Sequence, residues 1–451
     1  MPRMFLILLG DRIMFKNITV ENWRQFHKVD IELHPTLTVL TGANGAGKTT
    51  ILNILSSKFG WDSKFVSSYE ADDSKNAHYT NSKIHEDIET SKGINETIGN
   101  LTYYVDSDNQ FTTIEAILVP KQVSETYNIR LSVTNQFSFV GSQLPNAISP
   151  KKEEIRGLFI NSHRPIFSYQ KLASVPINST DRSKIFNEYL NVYKKFVFDE
   201  NRSYNEMSGS ALIKTSLIAL AMFGYGNQNV TPNSEMRALF EEYLEILKIV
   251  LPEELGFKDI KIRIPEVLFI TDTGEFPIDA LSGGISSLLD ITWQIFMFDK
   301  RDAKFVVIID EPENHLHPKL QKTLMRNLIR AFSNVQFIVA THNPFIITSV
   351  KDSNVYVLCY EEETHRVISE KLDYVNRAGS SNEILRDVLG VDTSIPYWAE
   401  DEYNEVVKNF VKQELSEVSI LRLQENLKKI GLERLFPDIV TKKTITEARP
   451  K

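Results

Sequence analysis

The chain has 451 residues, 42% of them hydrophobic and 24% charged, with a formal net charge of −8. Such a length and balance fit a soluble globular protein with one large core or two ordinary ones, and the acidic surplus argues against nonspecific coating of nucleic acid. A single cysteine, Cys359, precludes an intramolecular disulfide and fits a reducing cytoplasm. The longest N-terminal apolar run, residues 5–9, is too short for a signal-peptide core or a membrane span, so a cytoplasmic protein with no membrane partner is expected.

Residues 14–20 and 29–33 alternate in polarity around the turn N-W-R-Q-F, which predicts an antiparallel strand pair. A third strand with Leu37, Val39 and Leu40 leads into T-G-A-N-G-A-G-K-T-T, residues 41–50, and an amphipathic helix follows with Ile51, Leu52, Ile54, Leu55 and Phe59 on one face. The string fits G-x-x-x-x-G-K-[ST], and it stands between a strand and a helix, where such a loop can work. Gly42, Gly45 and Gly47 tolerate the positive φ angles that let backbone N–H groups wrap a phosphate. Lys48 would reach the β- and γ-phosphates of a nucleotide, Thr49 would offer its hydroxyl to Mg²⁺, and Asn44 and Thr50 complete the cradle at the positive end of the helix. Residues 62–96 are polar and aperiodic and read as a long surface excursion. Strand patterns return at 101–105, 112–119, 127–133 and 158–160, the last ending in N-S-H-R-P. Residues 181–251 have helical period and predict a lobe of about three helices, with no sustained heptads for a coiled-coil arm. Two short strands follow at 260–264 and 267–270.

The second informative stretch begins with L-S-G-G, residues 281–284. Ser282, Gly283 and Gly284 at the start of an apolar helix make another anion site, through free N–H groups and the helix dipole. The apolar run F-V-V-I-I-D, residues 305–310, reads as a strand buried on both faces and ends in two carboxylates, Asp310 and Glu311. Asp310 would hold Mg²⁺ through water, and Glu311 would orient and deprotonate an attacking water. Pro318 opens a helix, and the strand 337–340 delivers Thr341 and His342 to the same edge. Singly these are solvated strand ends and an ordinary histidine. Their order gives the pattern its meaning.

In that order the residues resemble the ATP-binding cassette ATPases, over the segments 14–60 and 258–358. The resemblance implies an α/β fold: a P-loop ATPase head with a mixed central sheet, an antiparallel β-subdomain, an inserted helical lobe and a short helical tail. The expected division is an N-terminal ATPase lobe at 1–60, a β-subdomain and excursion at 61–180, a helical lobe at 181–257, a C-terminal ATPase lobe at 258–358 and a tail at 359–451. It also implies ATP and Mg²⁺ as cofactors and a homodimer or higher homo-oligomer, in which L-S-G-G of one copy closes over the γ-phosphate held by another. More than two hundred residues divide Lys48 from Ser282, and P-E-N-H-L-H-P follows Glu311. Both features are similar to the RecF, SMC-like and overcoming-lysogeny group. In that group Arg24 of the N-W-R-Q-F turn reaches the nucleotide; a solvated turn residue is the plain alternative. Gln170 is the candidate for the metal-associated switch glutamine. Ile285 departs from the Gln or Glu that usually follows L-S-G-G.

Fewer than a hundred residues follow Val357, without the D-x-D of a TOPRIM nuclease. They predict two amphipathic helices, 402–414 and 418–430, whose stripe of Ile420, Leu423, Leu427 and Ile430 either packs on its own core or binds a partner. An ATPase of this build resembles the ATPase subunits of anti-phage systems such as Septu, its retron-linked relatives and PARIS, which implies a sensor or scaffold controlling a separate nuclease or toxin. A RecF-like DNA-repair ATPase that binds nucleic acid directly stays open as the alternative, on the basic pairs at 151–152, 194–195 and 442–443.

Overall fold

The structure, a computed structural model, describes residues 14–23, 25–56, 59, 61, 68–71, 77–80, 100–107, 110–117, 156–164, 167–172, 182–198, 208–299, 303–373, 381–389, 397–413, 415–437 and 439–440. The chain divides into two compact units, Met1–Gly379 and Ser380–Lys451.

Strands β1 (Met14–Trp23) and β2 (Phe26–Glu32) form the expected antiparallel pair, and β3 (Leu37–Gly42) runs into the phosphate loop and helix α1 (Lys48–Ser56). A separate two-stranded hairpin, β4 (Ser68–Ala71) with β5 (Ala77–Thr80), lies within the stretch expected to be an aperiodic excursion. Its backbone pairing carries no apolar alternation, which is why the sequence hides it. Next come β6 (Asn100–Ser107), β7 (Gln110–Ile117) and β8 (Gly157–Ile160); the strand expected at 127–133 lies outside the described residues. Helices α2 (Arg182–Phe198), α3 (Gly209–Tyr225) and α4 (Ser234–Val250) follow, then a small antiparallel sheet of β9 (Phe257–Arg263), β10 (Glu266–Thr271) and β11 (Gly274–Pro277). The unit continues through α5 (Gly283–Phe298), β12 (Phe305–Asp310), α6 (Pro318–Ala331), β13 (Val335–Ala340), the short α7 (Pro344–Ile347), β14 (Asn354–Tyr360) and β15 (Val367–Lys371).

Ten of these strands make one mixed sheet in the order β7, β6, β1, β2, β15, β14, β3, β13, β12, β8. The fold is α/β. Strands β14, β3, β13, β12 and β8 pair in parallel, whereas β7, β6, β1 and β2 pair antiparallel. The antiparallel strands are an extension of the central sheet, as expected. Every residue of β3, β8, β12 and β13 is buried, as continuous Val, Ile, Leu and Phe runs require when both faces are covered. Helix α1 packs its buried Ile51, Leu52, Ile54 and Leu55 against the sheet beneath β3, β8, β12 and β13. The sheet curls, so that Gln336 of β13 accepts the Phe15 N–H at 3.2 Å and donates to Phe15 O at 2.8 Å.

Helices α2 and α4 pack on α5, which is itself buried from Ile285 to Met297. The boundary expected at 358/359 moves to 379/380, because β14 continues to Tyr360 and β15 pairs with both β14 and β2. In the second unit, α8 (Tyr397–Val411) and α9 (Glu417–Lys429) are the predicted helices. Leu423 and Leu427 are buried against Ala399, Phe410, Leu432 and Ile439, with Ile420 and Ile430 packed alongside. Of the two readings of that stripe, self-packing holds. Among the described residues, no helix is long and apolar enough to cross a membrane.

Candidate nucleotide and hydrolysis site

The phosphate loop leaves β3 through Gly42, at φ 130°, where a Cβ would stand 2.2 Å from the carbonyl oxygen of Leu358. Leu358 is the β14 residue paired with Gly42, so a side chain here would pry the two strands apart. Gly45 and Gly47 have φ of 83° and 91°, in the region that disfavours other residues. Asn44, Gly45 and Thr49 are exposed on the loop and Thr50 is half-buried in the first turn of α1. Lys48 is buried and turns its ammonium inward: Nζ donates to Gly42 O at 2.9 Å and to Ala43 O at 3.1 Å. Burial pulls its pKa down, and the carboxylates of Glu311, Asp310 and Glu313 pull it back up.

The β12–β13 register sets Asp310 beside Ala340, and the Glu311 N–H donates to Ala340 O at 2.9 Å. Two carboxylates at the end of β12 are thereby aimed at the loop. Thr49 Oγ1 donates to Asp310 Oδ2 at 2.9 Å. Burial raises the pKa of Asp310, and the Thr49 hydrogen bond and the charge of Lys48 hold it back. Glu311 takes an unusual positive φ of 45°, and its Oε1 lies 2.8 Å from His342 Nδ1. His342 is 61% exposed at its side chain and Glu311 15%, so the pair stands at the mouth of the site.

A third carboxylate escaped the sequence reading. Glu313 is 5% exposed, and its Oε1 accepts the Thr341 hydroxyl. Burial and the adjoining Glu311 carboxyl push its pKa up to about 8. Burial likewise raises the pKa of Glu311. With both carboxyls ionised, Glu311 Oε2 and Glu313 Oε2 have no donor; a proton kept by Glu313 supplies one. The signal was present as a second glutamate in P-E-N-H-L-H-P, and it lacked meaning until Thr341 was seen to sit beside it.

Lys48, Thr49, Asp310, Glu311 and His342 are brought together. Ser282 is not part of that cluster: it caps α5, exposed, with Oγ accepting the Ile285 N–H at 3.5 Å. Gly283 faces open space, whereas a Cβ on Gly284 would stand 2.9 Å from His315 O. His317 caps α6, its Nδ1 accepting the Lys319 N–H at 3.3 Å. Arg24 lies outside the described residues. Gln170 turns its Oε1 to the Ser208 N–H at 2.9 Å. The β8–β12 register pairs Ile160 with Ile309, so Asn161, and not Gln170, comes level with Asp310.

These groups fit a nucleotide and its metal. A hydroxyl and a carboxylate, Thr49 and Asp310, are the oxygen donors a hard divalent cation prefers. The loop offers backbone N–H groups at a helix N-terminus, and the Lys48 ammonium is already satisfied by the loop's own carbonyls.

Two family models match the chain, one described as "AAA domain, putative AbiEii toxin, Type IV TA system" at residues 241–348 and one as "AAA domain" at residues 17–205. The "Septu protein PtuA" of Bacillus mycoides (strain KBAB4) is 29% identical over 171 residues, which are 36% of this chain and 24% of that protein. This chain thus matches about a quarter of that relative's length. The "Retron Vc95 probable ATPase" of Vibrio cholerae serotype O1 biovar El Tor is 23% identical over 393 residues, 78% of this chain and 74% of that protein. Among solved structures, the SMC head domain from Thermotoga maritima aligns with 80% of this chain and 99% of its own, at 9% identity and a TM-score of 0.36. With an AAA-domain match in each half, the chain has a P-loop ATPase fold and is similar to the Septu protein PtuA and to a retron probable ATPase.

Proposed function

We propose that the chain binds ATP with Mg²⁺, hydrolyses it in sites shared between copies of itself, and by that cycle governs a separate nuclease or toxin subunit of an anti-phage system. The observation that carries the reading is the convergence of Thr49 on Asp310 and of His342 on Glu311, at the mouth of a glycine-rich phosphate loop. The loop N–H groups and Lys48 bind the phosphates, while Thr49 and Asp310 hold the metal. When bound, the metal neutralises charge on the phosphate oxygens. Glu311 accepts the proton of the attacking water on its carboxylate, and His342 fixes that carboxylate through Oε1. Ser282, Gly283 and Gly284 offer their anion site to a second copy. Arg24 of the N-W-R-Q-F sequence supplies a further nucleotide contact.

The test begins with the purified full chain. Lys48→Ala removes the charge aimed at the phosphates and should weaken ATP binding severely in calorimetry. Glu311→Gln should bind ATP but turn over at least about tenfold slower, since general bases contribute ~10² to 10⁴-fold. Wild-type protein without any ATPase activity, or Glu311→Gln protein at the wild-type rate, would overturn the catalytic part. Co-purification of the tagged chain with the product of its neighbouring reading frame, more firmly in one nucleotide state, tests the effector role, because a partner that prefers one state must be coupled to ATP. Metal-dependent nucleic-acid cleavage by the pure chain alone would overturn that role.

A further inference from the structure

We propose that Arg164 is a positioning residue for hydrolysis, clasping the loop that carries Glu311 and tying it to α5, the helix that opens with L-S-G-G; the proposal rests on the ATPase reading above. Arg164 follows β8 and is 4% exposed. Its Nε donates to Ser287 Oγ of α5 at 3.1 Å, and Nη1 to Asn161 O at 3.2 Å and Asp310 O at 3.5 Å. Nη2 faces Glu311 O at 3.2 Å, Pro312 O at 3.3 Å and Asn314 O at 3.4 Å. One planar cation thus gathers the carbonyls on both sides of the proposed base. Five N–H groups in a fixed fork can do this; an ammonium cannot.

The loop needs such a clasp. Glu311 sits at φ 45°, a conformation that a residue with a Cβ disfavours. A disfavoured backbone persists only where its surroundings over-determine it. Released, the loop relaxes, and the Glu311 carboxylate leaves its place beside His342. The clasp also reaches the helix that begins at L-S-G-G. Ser287 Oγ donates to Asn314 O at 3.4 Å, and Gly284 lies against His315 O. Arg164, Ser287 and Gly284 therefore join α5 to residues 310–315, so that a load on Ser282 from a second copy is felt at Glu311.

The test compares wild type, Arg164→Lys, Glu311→Gln and the double variant of the full chain, by ATP affinity, steady-state kcat and KM, single-turnover hydrolysis and thermal unfolding. Arg164→Lys is expected to keep ATP affinity and KM within about twofold while kcat falls at least about tenfold, the signature of an interaction made only in the transition state. In the Glu311→Gln background the same change should cost less than about threefold, because residues acting through one another are not additive. A folded Arg164→Lys with wild-type kcat, or a loss that multiplies undiminished onto Glu311→Gln, overturns the proposal. If Arg164→Lys does not fold, Ser287→Ala decides. It removes only the link to α5 and should lower kcat at least about threefold at unchanged ATP affinity; wild-type turnover overturns the proposed tie of the Glu311 loop to α5. An inactive wild type would instead overturn the ATPase reading itself.

Discussion

His342 Nδ1 stands 2.8 Å from Glu311 Oε1, at the ends of two strands that pair in parallel. The contact fixes one carboxylate oxygen at the mouth of the site and leaves the imidazole exposed beyond it. His342→Ala should therefore bind ATP as the wild type does and lose about tenfold or more in kcat, within the range of a positioned proton-transfer partner. Steady-state kinetics with parallel calorimetry checks this. Equal kcat in the variant would show the histidine to be idle.

The pair Glu311 and Glu313 predicts a dependence of stability on pH. Burial and the Glu311 carboxyl hold the Glu313 pKa at about 8, above the ~4.3 of an ordinary glutamate. The folded protein keeps a proton that the unfolded chain sheds. The stability this group contributes is fully present below pH ~4.3, drains as pH rises, and is gone past about 8. Glu313→Gln cannot ionise and still donates to Glu311. Urea unfolding at steps between about pH 5 and 9 should show wild type losing stability relative to Glu313→Gln up to about pH 8, with parallel curves above it. Parallel curves throughout would contradict the assignment.

Gly42→Ala brings a methyl group to 2.2 Å from Leu358 O at a φ of 130°. Overpacking and backbone strain together should destabilise the ATPase unit by about 3 kcal/mol, and the loop should lose ATP affinity with it. Gly283→Ala is the matched control, since nothing lies within 4 Å of its would-be Cβ. Comparable melting temperatures for the two variants would refute this account of the loop.

Shared sites can be read from mixing. Ser282→Arg places bulk and charge at the exposed N-cap of α5, away from Lys48. A heterodimer of Ser282→Arg with Lys48→Ala has one doubly defective site and one intact. Recovery of ATPase activity on mixing the two inactive proteins is expected; no recovery despite proven heterodimers would count against shared sites.

The parts of the site that depend on local backbone were legible in the sequence. Gly42 to Thr50, Asp310 and Glu311 lie at strand ends, where an apolar run stops and polar residues begin, and that change of composition is visible without coordinates. Arg164 and Glu313 were not, because burial gives them their meaning: the Arg164 acceptors at Asp310, Glu311, Pro312 and Asn314 lie about 150 residues away in the chain. A glutamine side chain points to Gln170, but strand register decides which residue comes level with Asp310, and register is not written in composition. The sequence places the tail boundary at 358/359 because β15, V-I-S-E-K, is half polar and reads as a loop until it pairs with β14 and β2. The helices of the second unit were legible by period, although period alone could not say whether their stripe faced inward.

Strand β3 is made early and partnered late. Its two neighbours in the sheet are β13, residues 335–340, and β14, residues 354–360. On a ribosome adding ~5–20 residues per second, roughly 15–60 s pass between synthesis of the phosphate loop and arrival of both strands that flank it. Until β13 and then β14 are made, the apolar edges of β3 lack their partner strands, the kind of surface that chaperones cover and aggregates recruit. A nascent chain thus has no closed nucleotide site, and a transcript broken before the codon for Asn354 yields a product fit for degradation rather than a partly active ATPase. The topology acts as a completion check, in which the sheet around the glycine-rich loop closes only once the chain has been read past Asp310, Glu311 and His342.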